Sequence, residues 1–157
     1  MMRLPYQRVL LDPSKAAPPS LPTGSQYRWR PLVRIRIIGP SGQYRDFDRA
    51  LVDSGADDSL FHTGVAQALG VQLLPDVGHS HKWRGNTHSL RFGHVSLELT
   101  DDVSVWNWPA VVAFSTATLP YPLLGHGGCL HFIDATFRDA DRLLELDPNR
   151  MFPGSTS

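Results

Sequence analysis

An apolar strand that runs directly into an aspartate is the feature that most restricts the fold of this sequence. In the segment 50–58, a Leu-Val pair precedes Asp53, and the small residues Ser54 and Gly55 follow it. Burying a carboxylate costs several kcal/mol unless the group is paired or hydrogen-bonded. An Asp placed between an apolar strand and a tight turn therefore indicates a carboxylate with a chemical role.

A second apolar segment, residues 122–125, also ends in glycine and has the sequence Pro-Leu-Leu-Gly. Together and in this order, the two segments resemble the retropepsin-like aspartic proteases. In that family, Asp-Thr/Ser-Gly-Ala follows a hydrophobic strand, and a later hydrophobic-hydrophobic-Gly segment supports the catalytic loop. The resemblance covers residues 31–146 and implies an all-β, retropepsin-like acid-protease barrel with a flap hairpin and one or two short helices.

The sequence contains a single Asp-Ser-Gly motif and therefore half of the expected active site. Aspartic proteolysis needs two carboxylates that share one proton and one water molecule. The resemblance thus implies a homodimer in which Asp53 of each chain activates water to hydrolyse a peptide bond of a polypeptide substrate. No metal or organic cofactor is implied.

The family pattern assigns roles to further residues of this sequence. Three groups of residues are implied: catalytic Asp53, Ser54 and Gly55; substrate-binding Ala56, Asp57, Asp58, Gly78, Trp83 and Gly85; and supporting Leu124, Gly125 and His126.

One position departs from the family pattern. The Asp at the position of Asp57 is typically held by an Arg directly after the later glycine, whereas this sequence has His126 there. An Asp57–His126 pair would be charged only while the imidazole is protonated. The alternative is that His126 caps a turn or faces solvent.

The flap belongs near residues 78–86, where the glycine-rich tip of the family is thinner. Trp83 could cover a bound peptide or pack on the domain. His79 and His81 have a spacing that can ligate zinc, but no third ligand is evident, so we expect no metal site. Trp106 and Trp108 share a strand face, which favours core packing over a wall of the peptide site.

Periodicity and turn residues predict many short strands and little helix. We expect an N-terminal arm or linker over 1–30, the protease-like domain over 31–148 and a C-terminal tail over 149–157. The predicted strands are 6–11, 32–38, 44–52, 71–74, 95–99 and 103–114, with a closing hairpin of 136–138 and 143–146. The predicted short helices are 65–69 and 127–133.

The composition excludes several classes of protein. A formal net charge of zero over 157 residues argues against a dedicated nucleic-acid binder. The first 36 residues are nevertheless basic, which suits either an anionic partner or a solvated arm. No segment approaches the ~20 apolar residues of a membrane span. The single cysteine, Cys129, and the lack of a signal-peptide pattern predict a cytoplasmic protein.

Two alternatives to an active protease stay open at this point. One is a catalytically silent domain of the same fold that dimerises or binds peptides. The other is an unrelated small β-barrel that binds a ligand, with Asp53 in a structural role.

Overall fold

Short strands joined by glycine- and proline-containing turns make up half of this protein. The computed structural model describes residues 1–157, with 50% of them in strands and 6% in helices. The elements in chain order are β1 (Met2–Pro5), β2 (Gln7–Leu10), β3 (Tyr27–Arg30), β4 (Leu32–Ile38), β5 (Tyr44–Val52), β6 (Leu60–His62), α1 (Thr63–Ala68), β7 (Ser80–Trp83), β8 (Asn86–Ser89), β9 (Arg91–Thr100), β10 (Val105–Ser115), β11 (Leu123–Leu124), β12 (Ile133–Arg138), a 3-10 turn (Asp139–Asp141), β13 (Leu143–Pro148) and β14 (Ser155–Thr156).

Six strands close into a β-barrel, so the predicted all-β barrel class is confirmed. The strand order is β10-β6-β11-β5-β4-β9, and pairing of β9 with β10 closes the ring. The apolar alternation of β4 and β9 gives each strand one face for the barrel interior. The fully buried side chains of this core include Ile35, Ile37, Leu97, Leu99, Trp108 and Phe114.

The predicted strands over 32–38 and 44–52 match β4 and β5 residue for residue. The first predicted helix is also present, as α1, and it is followed by Gly70 at φ +65°. A left-handed residue after a helix is readily supplied by glycine. The closing hairpin is present as β12 and β13, which the 3-10 turn connects.

Two predicted elements are wrong. Residues 71–74 form no strand, because Pro75 lacks the amide needed to extend the pairing beyond one bridge, Leu73 with Gly93. Residues 127–133 form no helix, because Gly128 lies at φ +83° and interrupts the helical path. The segment folds as hydrogen-bonded turns, and β12 begins at Ile133.

The chain ends contribute more to the fold than an arm and a tail would. Strand β1 pairs with β13 in a three-stranded sheet, β1-β13-β12, and Met2 is fully buried there. Strand β14 pairs with β10 at Trp106 and Asn107. The packed unit therefore extends beyond residues 31–148 at both ends.

The predicted strand over 6–11 is present as β2, and it pairs with β3 in a separate two-stranded sheet. Strand β3 lies within the proline-containing segment that was expected to be an arm. No helix of the protein is long and apolar enough to cross a membrane.

Met2 provides a test of whether β1 is part of the core. We expect Met2→Ala to lower the free energy of unfolding by about 2–4 kcal/mol, because a fully buried side chain is removed. Met151, which is 60% exposed, provides the control: Met151→Ala should change the free energy of unfolding by less than about 0.5 kcal/mol. Urea denaturation measures both, and equal effects would contradict the placement of β1.

Candidate functional site

Strand β11 lies between β5 and β6 and thereby brings the two sequence motifs together. Leu123 and Leu124 pair in parallel with Leu51 and Val52 of β5, and Leu123 also pairs with Leu60 of β6. Residues distant in sequence are therefore neighbours within one sheet. The loop between β5 and β6, residues 53–59, lies against the segment that follows β11, residues 125–127.

Backbone hydrogen bonds join these two segments. The amide of Asp53 donates to the carbonyl of Leu124 at 3.0 Å. In return, the His126 amide donates to the Ala56 carbonyl at 3.0 Å and the Gly127 amide to the Asp57 carbonyl at 2.7 Å. Since buried backbone groups must find partners, this pairing fixes the path of the loop that carries Asp53.

Gly125 is needed at this crossing because there is no room for a side chain. A Cβ atom on Gly125 would lie 2.5 Å from the carbonyl oxygen of Asp58 and 2.6 Å from that of Ala56. Ser59 completes the crossing: its buried hydroxyl donates to the Gly127 carbonyl at 2.8 Å and accepts from the Gly125 amide at 3.2 Å. Leu124 and Gly125 thus contact the loop that carries Asp53, and their supporting role in a catalytic site stays a prediction.

Asp53 lies at the end of β5 with its carboxylate half-exposed. Its Oδ1 accepts a hydrogen bond from the Gly55 amide at 2.9 Å. A Cβ at Gly55 would lie 3.3 Å from that same oxygen, so glycine permits the close approach. Ser54 is exposed, and its hydroxyl has no hydrogen-bond partner within the chain.

His126 does not pair with Asp57, so the proposed ion pair is wrong. The Nε2 of His126 instead lies 2.8 Å from the carbonyl oxygen of Ser54 and donates to it when protonated at that nitrogen. Residues 125–127 run beside the loop, and the backbone amide of His126 is hydrogen-bonded to the carbonyl of Ala56. This places the imidazole next to Ser54, two residues earlier in the loop. His126 therefore ties together the two segments by a side-chain contact as well as by its backbone.

A cleft of about 240 Å³ opens beside this loop. Three of the residues expected to bind substrate, Ala56, Asp57 and Asp58, line it, and its other lining residues are Leu60, Ser80, His81, Leu90, Ala113 and Leu123. The cleft is thus largely apolar with a few polar groups, as small-molecule and peptide sites are.

Among the carboxyl groups of this cleft, that of Asp58 has a shifted pKa. Burial raises its pKa above the ordinary value, and the neighbouring Asp57 raises it further. His79 and His131 act in the opposite direction. The carboxyl group of Asp58 therefore keeps its proton to a higher pH than an exposed aspartate does.

The predicted flap segment forms a hairpin of β7 and β8. Arg84 and Gly85 make its two-residue turn with φ of +50° and +80°, the geometry that suits tight hairpins. Three residues expected to bind substrate, Gly78, Trp83 and Gly85, do not line the cleft. Trp83 is half-buried at the turn end of β7, beside the guanidinium of Arg84.

Two histidines attach this hairpin to the end of β10. His81 Nε2 lies 2.7 Å from Ser115 Oγ, and His88 Nδ1 lies 3.0 Å from Thr116 Oγ1. The two imidazoles are partners across the hairpin, with ring centroids 5.7 Å apart. Burial lowers the pKa of His81, and the nearby His88 lowers it further.

The sequence reasoning missed several residues of this region. Ser59, Ser115 and Thr116 were not singled out, and the hairpin histidines were considered only for metal binding. The sequence did contain a signal for Ser59, because this serine directly precedes the apolar pair Leu60-Phe61. A strand that begins with such a pair carries the preceding serine into the core. No group of three or more His, Cys, Asp or Glu side chains is placed to hold a metal ion.

Comparison of this chain with protein-family models, with curated proteins and with solved structures found no match.

Ser59 tests the crossing of the two segments. We expect Ser59→Ala to lower the free energy of unfolding by about 1–3 kcal/mol, because the buried Gly125 amide loses its acceptor. The control is Ser41→Ala, since Ser41 is exposed and makes no side-chain hydrogen bond. Urea denaturation measures the stability of both variants. An unchanged unfolding midpoint for Ser59→Ala would contradict the role of Ser59 at the crossing.

His81 gives a pH prediction for the hairpin. Its folded pKa is below the ordinary 6.5, so the unfolded chain binds this proton more readily. The stability contributed by neutral His81 is therefore complete above the unfolded pKa and is lost as pH falls through 6.5 toward the folded pKa. We expect His81→Gln to reduce the drop in thermal midpoint between about pH 7.5 and about pH 5.

The matched control is His94→Gln, because His94 is exposed on β9 and makes no side-chain hydrogen bond. This variant should keep the pH dependence of the parent. If both variants show the same pH dependence as the parent, protonation of His81 does not affect folding.

Proposed function

We propose that this protein is a retropepsin-like aspartic endopeptidase that acts as a homodimer. The observation that carries the proposal is the Asp53-Ser54-Gly55 loop, which crosses Leu124-Gly125 and holds a half-exposed carboxylate at the end of a barrel strand. The loop contributes one such carboxylate per chain. A second copy is therefore needed to complete the pair.

The chemistry follows from two carboxyl groups that share one proton. The ionised Asp53 removes a proton from a water molecule, whose oxygen attacks the carbonyl carbon of the peptide bond. The protonated Asp53 of the other chain donates to the carbonyl oxygen. Collapse of the tetrahedral intermediate breaks the C–N bond, and the amine leaves with a proton from the dyad.

Three features around Asp53 support pairing of two copies. Asp53 is half-exposed, so another chain can reach its carboxylate. The Ser54 hydroxyl has no partner within the chain and is available to bond across a two-fold axis. The His126 contact with the Ser54 carbonyl, at 2.8 Å, holds the loop in shape before any partner arrives.

The cleft beside the loop supports an extended polypeptide as substrate. Its apolar lining, which includes Leu60, Leu90 and Leu123, suits a side chain of a bound peptide. The β7–β8 hairpin contributes Ser80 and His81 to the same cleft and therefore covers part of it. We also propose a cytoplasmic setting on the basis of the single free cysteine, Cys129.

A catalytically silent peptide-binding or dimerisation module is the second candidate. It is favoured by the hairpin, whose Trp83 and Gly85 lie outside the cleft and whose histidines attach it to Ser115 and Thr116. A hairpin that stays attached would hold a peptide without closing over a dyad. An unrelated ligand-binding barrel is a third possibility, and it predicts a monomer.

Asp53→Asn tests the proposed reaction. We expect the variant to cleave a diverse peptide mixture about 10³-fold more slowly or worse, because an amide cannot accept the proton from water. Asp48→Asn is the matched control on the same strand: Asp48 is exposed and its side chain makes no hydrogen bond or ion pair, so this variant should retain activity. Both are assayed from acid to neutral pH, with the maximum expected below neutrality.

Subunit mixing then tests the homodimer. If each dyad takes one Asp53 from each chain, parent and Asp53→Asn chains that are unfolded and refolded together in equal amounts, so that subunits assort at random, should retain about one quarter of the activity of refolded parent at the same total concentration. Activity that merely halves would show that one chain is sufficient. Cleavage by Asp53→Asn at the parent rate would falsify the aspartic mechanism, and a dimer that binds peptides without cleaving them would identify the silent module.

A further inference from the structure

Arginine and aromatic side chains stack on one face of the β2–β3 hairpin, away from the site above. The guanidinium of Arg8 lies 4.6 Å from the ring centroid of Tyr27 and 5.9 Å from that of Trp29. The guanidinium of Arg142, next to the 3-10 turn, lies 4.2 Å from the Trp29 centroid. We call these four residues, Arg8, Tyr27, Trp29 and Arg142, the arginine–aromatic stack.

The charges of this surface are not neutralised within the chain. Arg8, Arg142 and the neighbouring Arg28 and Arg30 are absent from all the ion pairs that the protein forms. A guanidinium that stacks on a ring keeps N–H donors at its edge for carboxylates. Stacking also restricts the side chain in advance, which reduces the entropy lost on binding.

Strand β3 presents a free edge beside the stack. The Leu11 amide donates to the Gln26 carbonyl, which sets the register of the hairpin. Antiparallel pairing alternates from there, so the backbone N–H and C=O groups of Tyr27 and Trp29 point away from β2. These groups make no backbone hydrogen bond outside the hairpin.

The opposite edge of the hairpin, on β2, lies beside strands β4 and β5 and is hydrogen-bonded to them. The Arg49 guanidinium donates to the Arg8 carbonyl at 3.1 Å. The Gln7 amide group donates to the carbonyls of Leu32 and Asp48, each at 3.1 Å. The backbone groups of Tyr27 and Trp29 on β3 make no such hydrogen bond, so this edge is available to an additional strand.

A cleft of about 540 Å³ adjoins the stack and extends its positive charge. Arg28, Arg30 and the apolar Phe137 line it, and Arg30 Nε is a buried donor without a partner. The cleft contains one acidic residue, Asp139, which accepts a hydrogen bond from the Tyr6 hydroxyl at 2.7 Å.

We propose that the arginine–aromatic stack and the β3 edge bind an extended acidic polypeptide segment of a partner protein. Its backbone adds as a strand to Tyr27 and Trp29, and its carboxylates pair with Arg8 and Arg142. A polypeptide fits better than a nucleic acid, because only a peptide backbone can pair with the strand edge and because the chain has no net charge. This binding does not depend on the proposed hydrolysis.

Fluorescence anisotropy with a labelled peptide of alternating Glu and Val tests the proposal. The Asp53→Asn chain is used throughout, so that binding is measured without cleavage. We expect saturable binding that weakens about tenfold or more when Arg8→Gln and Arg142→Gln are combined, since two charge-assisted contacts are lost. Arg45→Gln is the matched control, because Arg45 also stacks on a ring, that of Phe47 at 4.9 Å, but lies outside the hairpin.

Three further probes, two peptides and an oligonucleotide, distinguish an acidic strand from other ligands of this surface. A peptide of alternating Glu and Pro should bind more weakly, because proline cannot donate to the strand edge. A Lys-Val peptide should not bind. Any one of four results would overturn the proposal. These are equal binding of the acidic and basic peptides, unchanged affinity of the double arginine variant, tighter binding of a single-stranded oligonucleotide, and self-association through this face.

Discussion

The crossing of two chain segments at Gly125 is the constraint on which the rest of the site depends. Gly125 lies so close to the carbonyls of Ala56 and Asp58 that no side chain fits. The buried hydroxyl of Ser59 satisfies polar groups from the same crossing. Since unpaired polar groups in the interior cost free energy, these contacts stabilise the observed path of the loop, and that path sets the position of Asp53.

The barrel explains how such a crossing can form at all. A two-residue strand such as β11 cannot be stable alone, but insertion between β5 and β6 gives it a neighbour on each side. The long β9–β10 pairing closes the ring from the other direction. The loop with Asp53 thus rests on a rigid frame, whereas the β7–β8 hairpin is connected to that frame mainly at its base and through His81 and His88.

The two surfaces proposed for binding differ in their physical basis. The cleft beside Asp57 and Asp58 is mainly apolar, so burial of substrate side chains would supply most of its affinity. The arginine–aromatic stack is charged and exposed, so its binding should weaken as salt rises.

The local pattern of the sequence determined strands β4 and β5 and the residues that lead into Asp53. The alternation in β4 and the apolar run before Asp53 dictate these elements, because side-chain burial has a period of two in a strand. The predictions for residues 71–74 and 127–133 failed because the backbone constraints of Pro75 and Gly128 outweighed the apolar pattern of these segments.

Only the tertiary structure decided the contacts made across long separations. It assigned His126 to the Ser54 carbonyl rather than to Asp57, paired β1 with β13 and stacked Arg142 on Trp29. These outcomes depend on which strands become neighbours, and no local pattern encodes that choice. The motif at Asp53 was visible in the sequence, but the crossing that holds it appears only when the chain closes into a barrel.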